Sequence, residues 1–130
     1  MVEKPRTLGQ HIRHRRLSLG KKQEDVARQL GTLREVYDRW ERDERVPVVS
    51  EWPGIIGFLG YYPGRQESIG DLVLKARRLR GLSQTKMAAS LGLDHARLRR
   101  WEHGSEVPSG GVFIRLKELV AAEAANLQAI

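Results

Sequence analysis

The strongest constraint on the fold is that this chain writes one pattern twice. Residues 7–47 and 68–108, TLGQHIRHRRLSLGKKQEDVARQLGTLREVYDRWERDERVP and SIGDLVLKARRLRGLSQTKMAASLGLDHARLRRWEHGSEVP, align without a gap at an offset of 61 positions. Identical residues recur at Gly9/Gly70, Arg16/Arg77, Gly20/Gly81, Gln23/Gln84, Ala27/Ala88, Leu30/Leu91, Gly31/Gly92, Arg39/Arg100, Trp40/Trp101, Glu41/Glu102, Val46/Val107 and Pro47/Pro108. A period this long specifies two supersecondary units or two small domains. The expected division is residues 1–62 and 63–130.

Within each copy the apolar period is helical. Ile69, Leu72, Val73, Ala76 and Leu79 share one face of a helix that Ser68 caps and Gly81 ends. A short helix opened by Ser83 carries Met87, Ala88 and Leu91 inward and breaks at Gly92. Asp94 caps a third helix, His95 to His103, with Leu98 and Trp101 inward and Gly104 at its end. The first copy repeats this with Leu8, Ile12, Val26, Leu30, Tyr37 and Trp40. Beyond Pro47 and Pro108, Trp52, Ile55, Phe58 and Leu59 answer to Phe113, Leu116, Leu119 and Val120, so a further helix closes each core. Gly60–Glu67 reads as a turn or linker, and the alanine-rich tail extends the last helix. Pro47 interrupts the only cluster of β-branched residues, Val46, Val48 and Val49, and no strand is expected.

Charge and composition narrow the function classes. Basic residues exceed acidic ones in both halves, 12 to 9 in residues 1–62 and 11 to 7 in residues 63–130, so each half can approach a polyanion. There is no cysteine, which excludes disulfides and thiolate metal sites. The first residues lack the apolar core of a signal peptide, and the most apolar stretch, Gly54–Tyr62, is too short and glycine-rich to span a bilayer. A soluble cytoplasmic protein, associated with the nucleoid and not with membrane, is expected.

The pattern I-R-x-x-R-x-x-x-G-x-x-Q, then A-x-x-L-G, then R-W-E resembles the Cro/cI-type helix-turn-helix family, also called the XRE family. It is carried by Ile12, Arg13, Arg16, Gly20, Gln23, Ala27, Leu30, Gly31, Arg39, Trp40 and Glu41. It recurs at Val73, Leu74, Arg77, Gly81, Gln84, Ala88, Leu91, Gly92, Arg100, Trp101 and Glu102, and the likeness runs from Thr7 to about Val120. The resemblance implies an all-α protein of two tandem lambda-repressor-like helix-turn-helix domains. It implies a sequence-specific reader of double-stranded DNA that regulates transcription as a bacterial, phage or mobile-element repressor.

It also implies roles for residues. Arg16 with Glu41 and Arg77 with Glu102 form internal ion pairs that fix helix orientation. Gln23 and Gln84, at the start of each second helix, belong at a phosphate together with Lys22, Ser83, His103 and Arg42, although a helix-capping role for the glutamines stays open. The third helix enters the major groove. With Leu98 and Trp101 inward, Ala96, Arg99, Arg100 and His103 turn outward and His95 and Arg97 flank them. Arginine pairs bidentately with guanine, and alanine meets a thymine methyl.

The first copy departs from this basic face. Its outward residues are Glu35, Asp38, Arg39 and Arg42, flanked by Arg34 and Val36. Leu33 replaces the Asp94 cap, with Thr32 one residue earlier as a substitute, and Asp43 replaces Gly104. Glutamate can accept from cytosine N4, so base reading by Arg34, Glu35, Asp38 and Arg39 remains the expectation, weaker than in the second copy. The alternative is an antitoxin-type or interaction protein in which the first unit, or the C-terminal helix, meets a protein partner or a second copy of the chain. His11 and His14 lie one helical turn apart but lack a third ligand, so no metal or other cofactor is expected. No nucleophile with an adjacent base, carboxylate pair or phosphate loop is evident, and no enzymatic activity is expected.

Overall fold

A computed structural model describes residues 4–128. Its helices are α1 (Leu8–Ser18), α2 (Gln23–Leu30), α3 (Arg34–Glu41), α4 (Trp52–Leu59), α5 (Ile69–Arg80), α6 (Gln84–Leu91), α7 (His95–His103) and α8 (Gly110–Gln128), with one 3-10 turn at Val49–Glu51. No strand occurs among the described residues, and none of their helices is long and apolar enough to cross a membrane. The chain divides into two compact units. The first runs to Val48 and resumes with Gly54–Pro63; the second comprises Val49–Pro53 and the chain from Gly64 onward.

In the second unit, Ser68 caps α5 by accepting from the Asp71 amide at 3.0 Å, while the Asp71 carboxylate accepts from the Ser68 amide at 3.1 Å. This reciprocal box satisfies two of the amides that a helix start leaves open. The turn from α6 to α7 needs a left-handed residue, and Gly92 supplies it at φ 70°. Asp94 then caps α7 through the Arg97 amide at 2.8 Å. Val73 and Ala76 of α5, Met87, Ala88 and Leu91 of α6, Leu98 and Trp101 of α7, and Leu116 and Val120 of α8 form one buried cluster. These residues carry the helical period of the sequence, so burial of that stripe holds the four helices together.

The first unit is built in the same chain order. Thr7 caps α1 in a box with Gln10. Ile12, Val26, Ala27, Tyr37, Trp40, Ile55, Phe58 and Leu59 form its buried cluster. The N-cap of α3 is Leu33 and not Thr32, and the Leu33 side chain makes no capping bond. Asp43 takes the left-handed conformation at φ 57° where the second unit has Gly104 at φ 80°.

Gly9 and Gly70 repeat because the start of the first helix of each unit passes against the end of the third. A Cβ on Gly9 would stand 2.5 Å from the Glu41 carbonyl oxygen and 2.6 Å from that of Trp40, and one on Gly70 would run into the Glu102 carbonyl. Two details depart from the periodic reading. Trp52, matched by offset to the first unit's closing helix, groups with the second unit, where the Arg78 guanidinium lies 4.0 Å over its ring. A flat cation on an indole face is favourable enough to hold the ring there. Within Gly60–Glu67, Tyr62 is buried, and Tyr61 donates or accepts a 2.7 Å hydrogen bond with His11 Nδ1, so the tyrosines belong to the first unit's packing and are no free tether.

Candidate nucleic-acid interface

Helix α7 is fixed from beneath and exposed on its other side. Leu98 and Trp101 are fully buried, and Arg77 of α5 holds Glu102 with Nη1 to Oε1 at 2.6 Å while its Nε donates to the Leu82 carbonyl. Both partners of the ion pair are about one-eighth exposed, 13% each. Removing one would therefore strand a charge in a poorly hydrated place. The opposite side of α7 exposes His95, Ala96, Arg97, Arg99, Arg100 and His103. No apolar side chain larger than alanine interrupts that surface, and the charged residues that α7 itself places there are all basic. Long cationic side chains on a rigid helix are what a polyanion groove requires.

The two glutamines are more engaged internally than their assignment to phosphate implies. Gln84 Nε2 donates to Glu102 Oε2 at 3.2 Å, and its Oε1 lies 3.2 Å from His95 Nε2. The side chain therefore ties the start of α6 to the start and end of α7. Ser83 is occupied as the cap of α6, accepting from the Lys86 amide at 3.2 Å. Trp101 is 1% exposed with its indole nitrogen unpaired, which leaves no face for a base to stack on.

The first unit shares the scaffold and not the surface. Arg16 Nε and Nη2 bind Glu41 at 2.7 and 3.0 Å, a bidentate pair, and Gln23 Nε2 adds a bond to the same carboxylate at 3.2 Å. Burial works to raise the Glu41 carboxyl, but these hydrogen bonds and the Arg16 charge outweigh it and hold the group below the usual carboxylate range. Burial pushes the Tyr37 hydroxyl far up, so it stays neutral. On the outer side of α3, Arg34, Glu35 and Arg39 are exposed. Asp38 is only a quarter exposed, at 25%, because it accepts from Gln23 Nε2 at 2.9 Å and pairs with Arg42 at 3.2 Å. Arg42 also approaches Glu44 at 3.8 Å, and Arg34 donates to Gln23 Oε1 at 3.3 Å. Lys22, at the start of α2, is exposed. Much of the charge on this face is thus spent within the unit.

One residue on the basic side was not legible in advance. Glu106 contacts both Arg97 Nε at 3.3 Å and Arg100 Nε at 2.9 Å. The signal available was Gly104, whose left-handed turn sends the following loop back along α7. His11 and His14 gather no third ligand, and among the described residues no group of three or more His, Asp or Glu is placed to hold a metal ion.

The comparisons with known proteins agree with the second unit. No curated protein and no solved structure matches the chain. A family profile described as helix-turn-helix matches residues 73–119, from the middle of α5 to α8, and does not extend to the first copy of the pattern. Residues 73–119 are thus similar to a helix-turn-helix domain.

Proposed function

We propose that the chain is a sequence-specific double-stranded DNA-binding regulator of transcription, acting as a repressor in the cytoplasm on nucleoid DNA, with α7 as its principal reading helix. The observation that carries this is the exposed surface of α7: His95, Ala96, Arg97, Arg99 and Arg100 on a helix anchored by Leu98, Trp101 and the Arg77–Glu102 pair. The helix-turn-helix match over the same residues supports it. Arg99 and Arg100 supply forks for guanine, Ala96 a thymine methyl contact, and Gln84, Ser83 and His103 the backbone contacts that set register. Occupying an operator blocks polymerase without any catalytic group.

The first unit serves in this reading as a second helix-turn-helix. It shares the helix order, the Arg16–Glu41 pair and the left-handed Gly31 turn with the second unit. Its Arg34, Glu35, Asp38 and Arg39 make weaker base contacts, and Gln23, Lys22 and Arg42 approach phosphates. The internal pairing of Asp38 with Arg42 and Gln23 favours a second reading of this unit alone, as a surface for a protein partner.

Selection of bound sites from random duplex DNA, followed by footprinting, tests both. One asymmetric site with two protected segments supports two reading units. A single short segment assigns DNA to α7 alone, and no enrichment of any sequence overturns the proposal.

A further inference from the structure

Glu106 stands where an acidic residue is least expected, against the basic face of a helix offered to a polyanion. Its backbone is pinned to one of the residues it contacts. The Arg100 carbonyl accepts from the Ser105 amide at 3.0 Å, the Ser105 hydroxyl at 3.3 Å and the Glu106 amide at 3.4 Å. Gly104 at φ 80° makes that return possible. The two carboxylate oxygens then divide between two arginines, Oε1 to Arg97 Nε and Oε2 to Arg100 Nε.

The atoms involved decide what this clamp does. Guanine is read by the terminal end of a guanidinium, whose donors match O6 and N7. The closest approach of Glu106 to each arginine is at the inner Nε, away from the terminal end. A long side chain with free torsions loses rotamer entropy on docking, and holding it beforehand lowers that loss. Folding gains little from the clamp: the arginines are about half exposed, 48% and 50%, and such pairs contribute marginally to stability. The first unit has no counterpart, because the equivalent positions are Val36, Arg39 and Arg45.

We infer that Glu106 is a positioning residue for base recognition, orienting the Arg97 and Arg100 guanidinium groups toward the groove so that Arg100 meets a guanine. This rests on the reading of α7 as the DNA-contacting helix. The experiment uses the full chain and a duplex selected by the wild type, with an unrelated duplex of equal length as reference. Each guanine is replaced in turn by 7-deazaguanine, which lacks the N7 acceptor, and melting temperature is followed in parallel.

For the wild type, one replacement should weaken binding, and Arg100→Ala should abolish that sensitivity. Glu106→Ala should lose the same sensitivity and lower the ratio of specific to unspecific binding about tenfold. Its unspecific binding should hold or tighten, since a negative charge is gone, and its melting temperature should stay close to the wild type. Glu106→Gln keeps one acceptor and should recover part of the ratio. If Glu106→Ala tightens both duplexes alike and keeps the guanine sensitivity, Glu106 is only an electrostatic brake and the inference fails. It fails equally if glutamine recovers nothing, or if binding falls on both duplexes with the melting temperature. A wild type with no preferred duplex would remove the reading itself, and the inference with it.

Discussion

Asp43 reaches back from the end of α3 to accept a hydrogen bond from the Gly9 amide near the start of α1, at 2.9 Å. The same carboxylate accepts from the Thr7 hydroxyl at 2.6 Å. It thereby serves two donors at a helix start, where negative charge is favourable. The arrangement has a cost, because Asp43 sits at φ 57°, a conformation that disfavours residues with a Cβ by about 1 to 2 kcal/mol.

Two substitutions separate these effects. Asp43→Gly removes the strain and both bonds together, and since each bond to a charged group contributes about 1.5 to 3 kcal/mol, the net change should be a loss of at least about 1 kcal/mol. Asp43→Ala keeps the strain and loses the bonds, so its loss should be larger, about 2 kcal/mol or more. Urea titrations of both variants check the order. A glycine variant more stable than the wild type would show that the strain outweighs the contacts.

Glycines at two helical positions should respond in opposite directions. A Cβ at Gly70 would strike backbone, the Glu102 carbonyl, so Gly70→Ala should destabilise by about 1 to 3 kcal/mol as the two helices are forced apart. Gly57 lies exposed within α4 with nothing inside 4 Å of an added Cβ. There alanine only improves helix propensity, and Gly57→Ala should stabilise by up to about 1 kcal/mol. Equal and small effects at both positions would contradict the close approach at Gly70.

Acid should weaken the first unit through Glu41. Its folded carboxyl titrates below the ordinary value of 4.5, so its stabilising contribution is complete above that value and is lost as pH falls through the folded one. Melting temperature should therefore drop as pH falls below the ordinary carboxylate range, and Glu41→Gln, which has no charge to lose, should flatten that part of the profile. At neutral pH the same variant should be the less stable protein, because Arg16 is then left in a partly buried site, 12% exposed, without its counter-charge. A profile unchanged by the substitution would locate the acid transition elsewhere.

The repeat made the helices legible because it gave two independent readings of each apolar stripe. Ser68, Ser83 and Asp94 announce their helices through side-chain caps, and the structure shows all three bonds. The first unit was harder to read at α3, where Leu33 holds the cap position with no side chain to bond and packing of Tyr37 and Trp40 fixes the helix instead. Helical phase places Arg99 and Arg100 on the exposed side, but phase says nothing of partners. The engagement of Gln84 with Glu102 and His95, and of Glu106 with two arginines, arises from loops and helix ends that meet only in three dimensions. Trp52 shows the limit of a repeat argument. Its offset partner is Phe113, yet its ring lies under Arg78, a contact no periodicity encodes.

The two third helices should differ in what their arginines contribute to DNA binding. Arg100 and Arg39 are equivalent by offset, but Arg100 stands among Arg97, Arg99 and His95, whereas Arg39 stands beside Glu35 and Asp38. A guanine contact contributes about 1 to 3 kcal/mol of discrimination, so Arg100→Ala should weaken the selected duplex by that amount and relax preference at one base pair. Arg39→Ala should have a smaller effect, since two carboxylates on the same face oppose its approach to the phosphates. Lys22→Ala removes a charge with no base to read, and should weaken all duplexes alike while lowering the salt dependence by about one phosphate contact. Binding isotherms at several salt concentrations, on the selected duplex and on single-base variants, measure all three. If Arg39→Ala costs as much as Arg100→Ala and shifts preference at its own base pair, the first unit reads sequence as strongly as the second. If Arg100→Ala leaves affinity and preference untouched, the exposed face of α7 is not the reading surface.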